Sequence, residues 1–285
     1  MSRIRANTIT NQNANGAPNF PDGITVSCVV TVEEAISEIN DCDLLTYAEI
    51  PAAAVESGNV EFKVAEILVA ENEFAFVAID VVCEIFFDNT VISFNRSNWI
   101  DIDPTVIHLS PGEKVKIKST AQCRFAVIKT NNDLSFKGKV YQPPDIDTEH
   151  RGKDQLDDTC YRLVRLAFDD TISPKEAKLV IGEVLNFPGK WSSYPPHHHP
   201  QSEIYYYELS PDWGYGHGEL GEDVFKIKNG DLLTITKSRT HSQTSAPGFH
   251  MYYLWAIRHD DKKRYDGFTY VKSFENMFNF TCHAY

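Results

Sequence analysis

The chain has 285 residues, with 27 Lys+Arg against 40 Asp+Glu for a formal net charge of −13, and 42% of it is hydrophobic. That length can bury one large core or two smaller ones, and the acidic balance excludes nucleic acid and anionic membrane as main partners. Aromatic residues make up 12%, and the runs rich in Val, Ile, Phe and Tyr favour strands over helices.

Residues 1–27 hold five asparagines (Asn7, Asn11, Asn13, Asn15, Asn19) with Gly16, Gly23, Pro18 and Pro21, which leaves almost nothing to bury. The segment reads as an extended leader without a core of its own. It has no apolar stretch of signal-peptide length, and no window in the chain matches a membrane span. The stretch TVEEAISEIN at 31–40 is the expected helix, with Thr31 as cap and Glu34 completing a capping box. The six cysteines form no C-x-x-C pair and read as reduced thiols.

From about residue 60, short strand-like runs alternate with turn residues: VEFKVAEILVA, FAFVAIDVVCEIFF, VISFN, EKVKIKS and CRFAVIKT. This spacing predicts a sandwich or barrel rather than βαβ units. The polar, proline-containing passage YQPPDIDTEHRGKDQL is expected to be a linker. A second strand-rich half follows, with KLVIGEVLNF, SEIYYYEL, DVFKIKNGDLLTITK and HMYYLWAIR. The expected organisation is an all-β chain: leader 1–27, a first barrel 28–141, linker 142–156 and a second barrel 157–285. His108, the one histidine before the linker, reads as structural.

Three consecutive histidines occur in GKWSSYPPHHHPQSEIYYYELSP. On a strand His197 and His199 face one way and His198 the other. If a short turn spans Pro200 to Ser202, Glu203 returns beside them, with Tyr205 and Tyr207 on its own face. In GDLLTITKSRTHSQTSAPGF, His241 stands eleven residues after Gly230. Together these match H-x-H-x(3,4)-E and G-x(5)-P-x-G-x(2)-H, the double motif of the cupin superfamily, with Thr236 and Ser238 at the usual Pro and Gly positions. His197, His199, Glu203 and His241 occupy the four metal-ligand positions. Three imidazoles and a carboxylate suit one divalent ion, Zn, Mn, Fe, Ni or Co, and ligand type does not choose among them.

The segments GKWSSYPPHHH, EIYYYELSP, APGFHMYYLWAIR, EHRGKDQLDDTCYRLVR and SPGEKVKIKSTAQCRFAVIKT, in that family's order, resemble the 5-deoxy-glucuronate isomerases of the KduI/IolB group of bicupins. The resemblance implies two cupin barrels in tandem (double-stranded β-helix, or jelly-roll), with the metal only in the second. It also implies aldose–ketose isomerisation of a uronate. Proton transfer in such a reaction needs a base, for which His217, Tyr205, Tyr207, Tyr253 and a metal-bound hydroxide are the alternatives. Arg258 and Tyr207 are the expected substrate contacts, and Arg239 and Lys237 are further cations for a sugar carboxylate.

The leader RANTITNQNANGAPNFPDGITV is similar to short N-terminal segments of bacteriophage tail and fibre proteins. That similarity implies docking through residues 1–27 on other virion proteins. The expectation is a virion-attached bicupin with a structural or glycan-binding role and location in the particle. The alternative is a free cytoplasmic isomerase acting on a uronate. A homo-oligomer is expected in either case.

Overall fold

In SEIYYYEL and HMYYLWAIR, apolar and aromatic residues occupy successive rather than alternate positions, the pattern of a strand covered on both faces. The computed structural model describes residues 72–119, 123–236, 238–260 and 262–279, with the strand segments Ile4–Arg5, Leu45–Ile50 and Ala65–Leu68. Glu203–Ser210 and His250–Arg258 lie side by side in the middle of a seven-stranded antiparallel sheet. Its order is Ile4–Arg5, Asp231–Ile235, Glu203–Ser210, His250–Arg258, Leu179–Asn186, Arg162–Phe168 and Asp147–Arg151. Every residue of Leu179–Asn186 is buried.

One face of this sheet closes over a five-stranded sheet ordered Asp223–Lys228, Tyr215–Leu220, His241–Ser245, Trp191–His198 and Thr269–Tyr270. Val184, Tyr205, Tyr207, Met251 and Tyr253 pack there against Leu220 and Ile227. The opposite face presents Ile181, Leu185, Tyr206, Tyr252, Leu254 and Ala256 to the first half of the chain. They join one cluster with Ala75, Val77, Ile79, Trp99, Ala126 and Ile128. The first half is an eight-stranded curled sheet around Phe76, Val81, Ile85, Ile107, Leu109, Val115, Ile117 and Phe125. The architecture is therefore all-β, as expected, and among the described residues the only helices are short 3-10 turns such as Pro143–Asp145 and Leu156–Asp158. No helix among them is long and apolar enough to cross a membrane.

Buried carboxylates tie the halves together. Glu73, 0% exposed, accepts hydrogen bonds from His108 Nε2 (2.8 Å), Asn132 Nδ2 (2.8 Å) and the main-chain N–H groups of Lys178 (2.7 Å) and Leu179 (3.0 Å). The second half's Glu183 accepts from Arg96 of the first half (2.5 Å) and from Arg165 (3.0 Å). His108 is thus a structural partner of Glu73.

The passage expected as a linker needs correction. Asp147–Arg151 is the edge strand of the seven-stranded sheet and pairs with Arg162–Phe168 over its whole length. Its charged residues conceal an ordinary alternating strand whose inner positions are Asp147, Glu149 and Arg151. The expected helix at 31–40 lies outside the described residues, as does the leader apart from Ile4–Arg5, which pairs with Leu232 and Asp231. Cys83 and Cys160 are buried free thiols.

Candidate metal centre and its cavity

Trp191–His198 and His241–Ser245 pair so that His197 stands opposite His241. Cross-strand partners share a face, and the two rings lie 4.4 Å apart between centroids. His199 follows the end of its strand, and after the turn through Pro200–Ser202 the chain enters the seven-stranded sheet at Glu203. The two sheets thereby bring their residues to one point. Among the described residues, His199, Glu203 and His241 form the group whose ligand atoms all lie within 4.8 Å of one another. His197 touches His241 but is not in that group.

Glu203 Oε2 is 3.0 Å from His199 Nε2 and 3.4 Å from His241 Nε2. His241 Nδ1 lies 3.1 Å from the carbonyl oxygen of Arg239, so it carries the ring proton and donates it there. Nε2 then offers only a lone pair, and it is buried without a hydrogen-bond partner. His197 Nδ1 is committed in the same way to the carbonyl of Ser193, at 3.1 Å. A lone pair facing a carboxylate at 1% and 5% exposure is unfavourable unless a proton or cation stands between. The donor set therefore fits a divalent cation.

Burial lowers the basicity of His197 and His241, and at His197 the nearby His241 adds to the effect. Burial acts in the same direction at His199, but the hydrogen bond and charge of Glu203 outweigh it and raise that imidazole. Ser238, in the turn before His241, has φ 61° and its N–H donates to the His199 carbonyl (2.9 Å). It adopts the left-handed conformation that explains a glycine at this motif position.

The centre opens into a cavity of about 480 Å³. Tyr205 and Tyr253 line it, hydrogen-bonded to Ser193 (3.3 Å) and Ser192 (2.6 Å) respectively. The other expected site residues are placed elsewhere. His217 is exposed, because Gly216, Gly218 and Leu220 take the inner positions of its strand. Tyr207 shares a face with Tyr205 but lies deeper in the apolar interior, its hydroxyl donating to Gln243 Oε1 (2.5 Å). Arg258 alternates with Ile257 onto the sheet's other face, where it reaches Thr130 (3.1 Å) of the first half. Arg239 binds the Leu220 carbonyl (2.8 Å) outside the cavity, and Lys237 lies outside the described residues.

Sequence reasoning missed Arg151, Arg162, Trp255 and Tyr265, all of which line the cavity. The signal was present in RLVRL, where Arg162, Val164 and Leu166 share a face, and in EHR just before it. Cutting the chain at a linker hid that pairing.

Fold and site together define a double-barrel protein of cupin type with a His–Glu–His group able to hold a metal in the second barrel. The chain belongs to the KduI/IolB family, whose sequence profile matches residues 29–277. It is 24% identical over 183 residues to the 5-deoxy-glucuronate isomerase of Geobacillus thermodenitrificans NG80-2, covering 56% of this chain and 64% of that protein. To the 5-deoxy-glucuronate isomerase of Shouchella clausii KSM-K16 it is 28% identical over 175 residues, covering 56% and 62%. The match thus spans less than two thirds of these relatives' length.

The fold is similar to that of an IolB-like protein from Salmonella typhimurium LT2, with a TM-score of 0.71, 18% identity and coverage of 83% of this chain and 90% of that one. Oxalate decarboxylase from Lactobacillus farciminis is more distant, at TM-score 0.52, 12% identity and coverage of 82% and 78%. The reading of residues 1–27 as a virion-docking leader gains no support: the family match begins at residue 29 and the curated relatives named here are isomerases.

Proposed function

We propose that the chain is a metal-dependent aldose–ketose isomerase acting on 5-deoxy-glucuronate or a related uronate. The observation that carries it is the buried, partnerless His241 Nε2 facing Glu203, which with His199 lines a sugar-sized cavity. Family membership supports the same reaction class. His199, Glu203 and His241 would hold the ion, with His197 beside them. A divalent ion bound there supplies Lewis-acid polarisation of the substrate's carbonyl and adjacent hydroxyl oxygens.

The protein's own groups orient the sugar and hold protons. Burial keeps the Tyr205 hydroxyl protonated well above the usual phenol range, so its Oη acts as a hydrogen-bond donor to a substrate oxygen and not as the base. Tyr253 is held by Ser192 and Ser193 and presents its hydroxyl to the same space. Trp255 and Phe268 give the cavity apolar aromatic walls. His217 takes no part, since it faces away.

The test is conversion of 5-deoxy-glucuronate to its ketose by the purified protein, with each of Zn, Mn, Fe, Ni and Co. Turnover that is lost on chelation, restored by one of these ions, and reduced at least about 100-fold in His241→Ala is expected. Turnover indifferent to chelation, or no turnover with any ion, overturns the proposal.

A further inference from the structure

Arg151 and Arg162 are direct cross-strand partners on the edge of the seven-stranded sheet, and both line the cavity. Two like charges placed opposite one another on a sheet destabilise it. Here one of the two is also desolvated: Arg162 is 5% exposed. Its guanidinium donates to the main-chain oxygens of Cys160 (2.7 Å) and Tyr194 (3.2 Å), which leaves most of its five N–H donors uncommitted. No carboxylate among the described residues forms an ion pair with it. Glu149, two residues from Arg151 on the same face, accepts from Arg151 Nε at 2.9 Å and is consumed by that pair. Asp170, another acid of the cavity, is likewise held by Arg264 and Lys175. This strand face carries Arg151 and Arg162 with Asp147 and Glu149, and of these acids Glu149 is taken up by Arg151 while neither forms an ion pair with the buried Arg162.

A buried, unpaired guanidinium is costly unless an anion meets it, and its planar fork matches a carboxylate in two-point geometry. The strand alternation also fixes what flanks it: Val164 and Leu166 continue the Arg162 face, so the anion-binding end passes into an apolar wall. We propose that Arg162, supported by Arg151, is the carboxylate-binding residue of the cavity and selects sugar acids over neutral sugars. This inference rests on the sugar-isomerase reading for its ligand class, but not on catalysis. It replaces Arg258, which the sheet turns away.

The test is binding of D-glucuronate and of D-glucose, which carries a hydroxymethyl group in place of the carboxylate, to the full-length protein by calorimetry. The native protein is expected to bind glucuronate at least about tenfold more tightly than glucose. Arg162→Gln should abolish that preference while leaving the affinity for glucose within about twofold. Arg151→Gln, on the more exposed strand, should reduce the preference by a smaller factor, and it decides the question if Arg162→Gln does not fold. Equal affinity for the two sugars, binding of neither, or variants that weaken both alike overturns the proposal. Selective, arginine-dependent binding without turnover would sink the isomerase reading alone. Turnover with no preference for the acid would sink this one alone.

Discussion

His241 Nε2 and Glu203 Oε2 stand 3.4 Å apart with no proton to share, because the imidazole has given its own to the Arg239 carbonyl. The prediction is asymmetric. Glu203→Gln should lower bound divalent metal from about one ion per chain to about a tenth of that, measured by elemental analysis. In chelator, however, the same variant should unfold at a temperature no lower than the native chain, since the carboxamide can donate to Nε2. A clear loss of stability in chelator would show that the pair is held by a proton instead.

His259 gives a pH dependence separate from the metal. Burial, aided by the charge of Arg264, lowers its pKa from 6.5 to about 4, and its Nδ1 accepts the Tyr265 N–H at 2.9 Å. Above pH 6.5 the ring is neutral folded or unfolded. As pH falls below 6.5 the unfolded chain binds a proton that the folded chain refuses, so stability is lost down to about pH 4. At pH 5 this amounts to about 2 kcal/mol. Denaturant unfolding at pH 7 and pH 5 should show native protein losing about that much more than His259→Gln.

Glu183 neutralises Arg96 across the junction of the halves and Arg165 on the neighbouring strand, and both arginines are buried. Removing it strands the Arg96 guanidinium and leaves Arg165 with Asp103, at 2.7 Å, as its remaining carboxylate partner. Glu183→Ala should cost about 3 to 5 kcal/mol in thermal or denaturant unfolding. A change within error would mean that the carbonyls already bound to Arg96 and Arg165 suffice.

Gly182 lies under the Trp255 indole, and a Cβ there would fall 2.3 Å from its Cζ2. Since Trp255 lines the cavity, Gly182→Ala should push the ring into it. About 1 to 3 kcal/mol of destabilisation is expected, with glucuronate binding weakened by more than about tenfold. Unchanged affinity would place the sugar away from this wall.

Local patterns in the chain spoke clearly about some of this and misled about the rest. The two barrels, the turn after His199 and the return of Glu203 were legible, because strand alternation and motif spacing are local. The convergence of His199, Glu203 and His241 was legible as well. His217 and Arg258 were misplaced because alternation depends on which face turns inward, and pairing across the sheet decides that. For His217 the inward positions belong to Gly216 and Gly218, whose lack of side chains hid them from a hydrophobic pattern. The edge strand Asp147–Arg151 was mistaken for a linker because its inner face is charged, serving a cavity and not an apolar core. The binding wall was obscured by the charges that suit it to its task.

That edge strand sits before the second barrel's first buried strand in sequence, yet its hydrogen bonds belong wholly to the second barrel. The apolar cluster behind the sheet draws its members from both halves. Heredity must therefore treat the two barrels as one object. A recombination event that joined a new partner anywhere in the stretch 142–160 would strip a wall from the cavity or uncover the back of its sheet. The first half, in which no metal group occurs among the described residues, thus serves as the second barrel's outer skin.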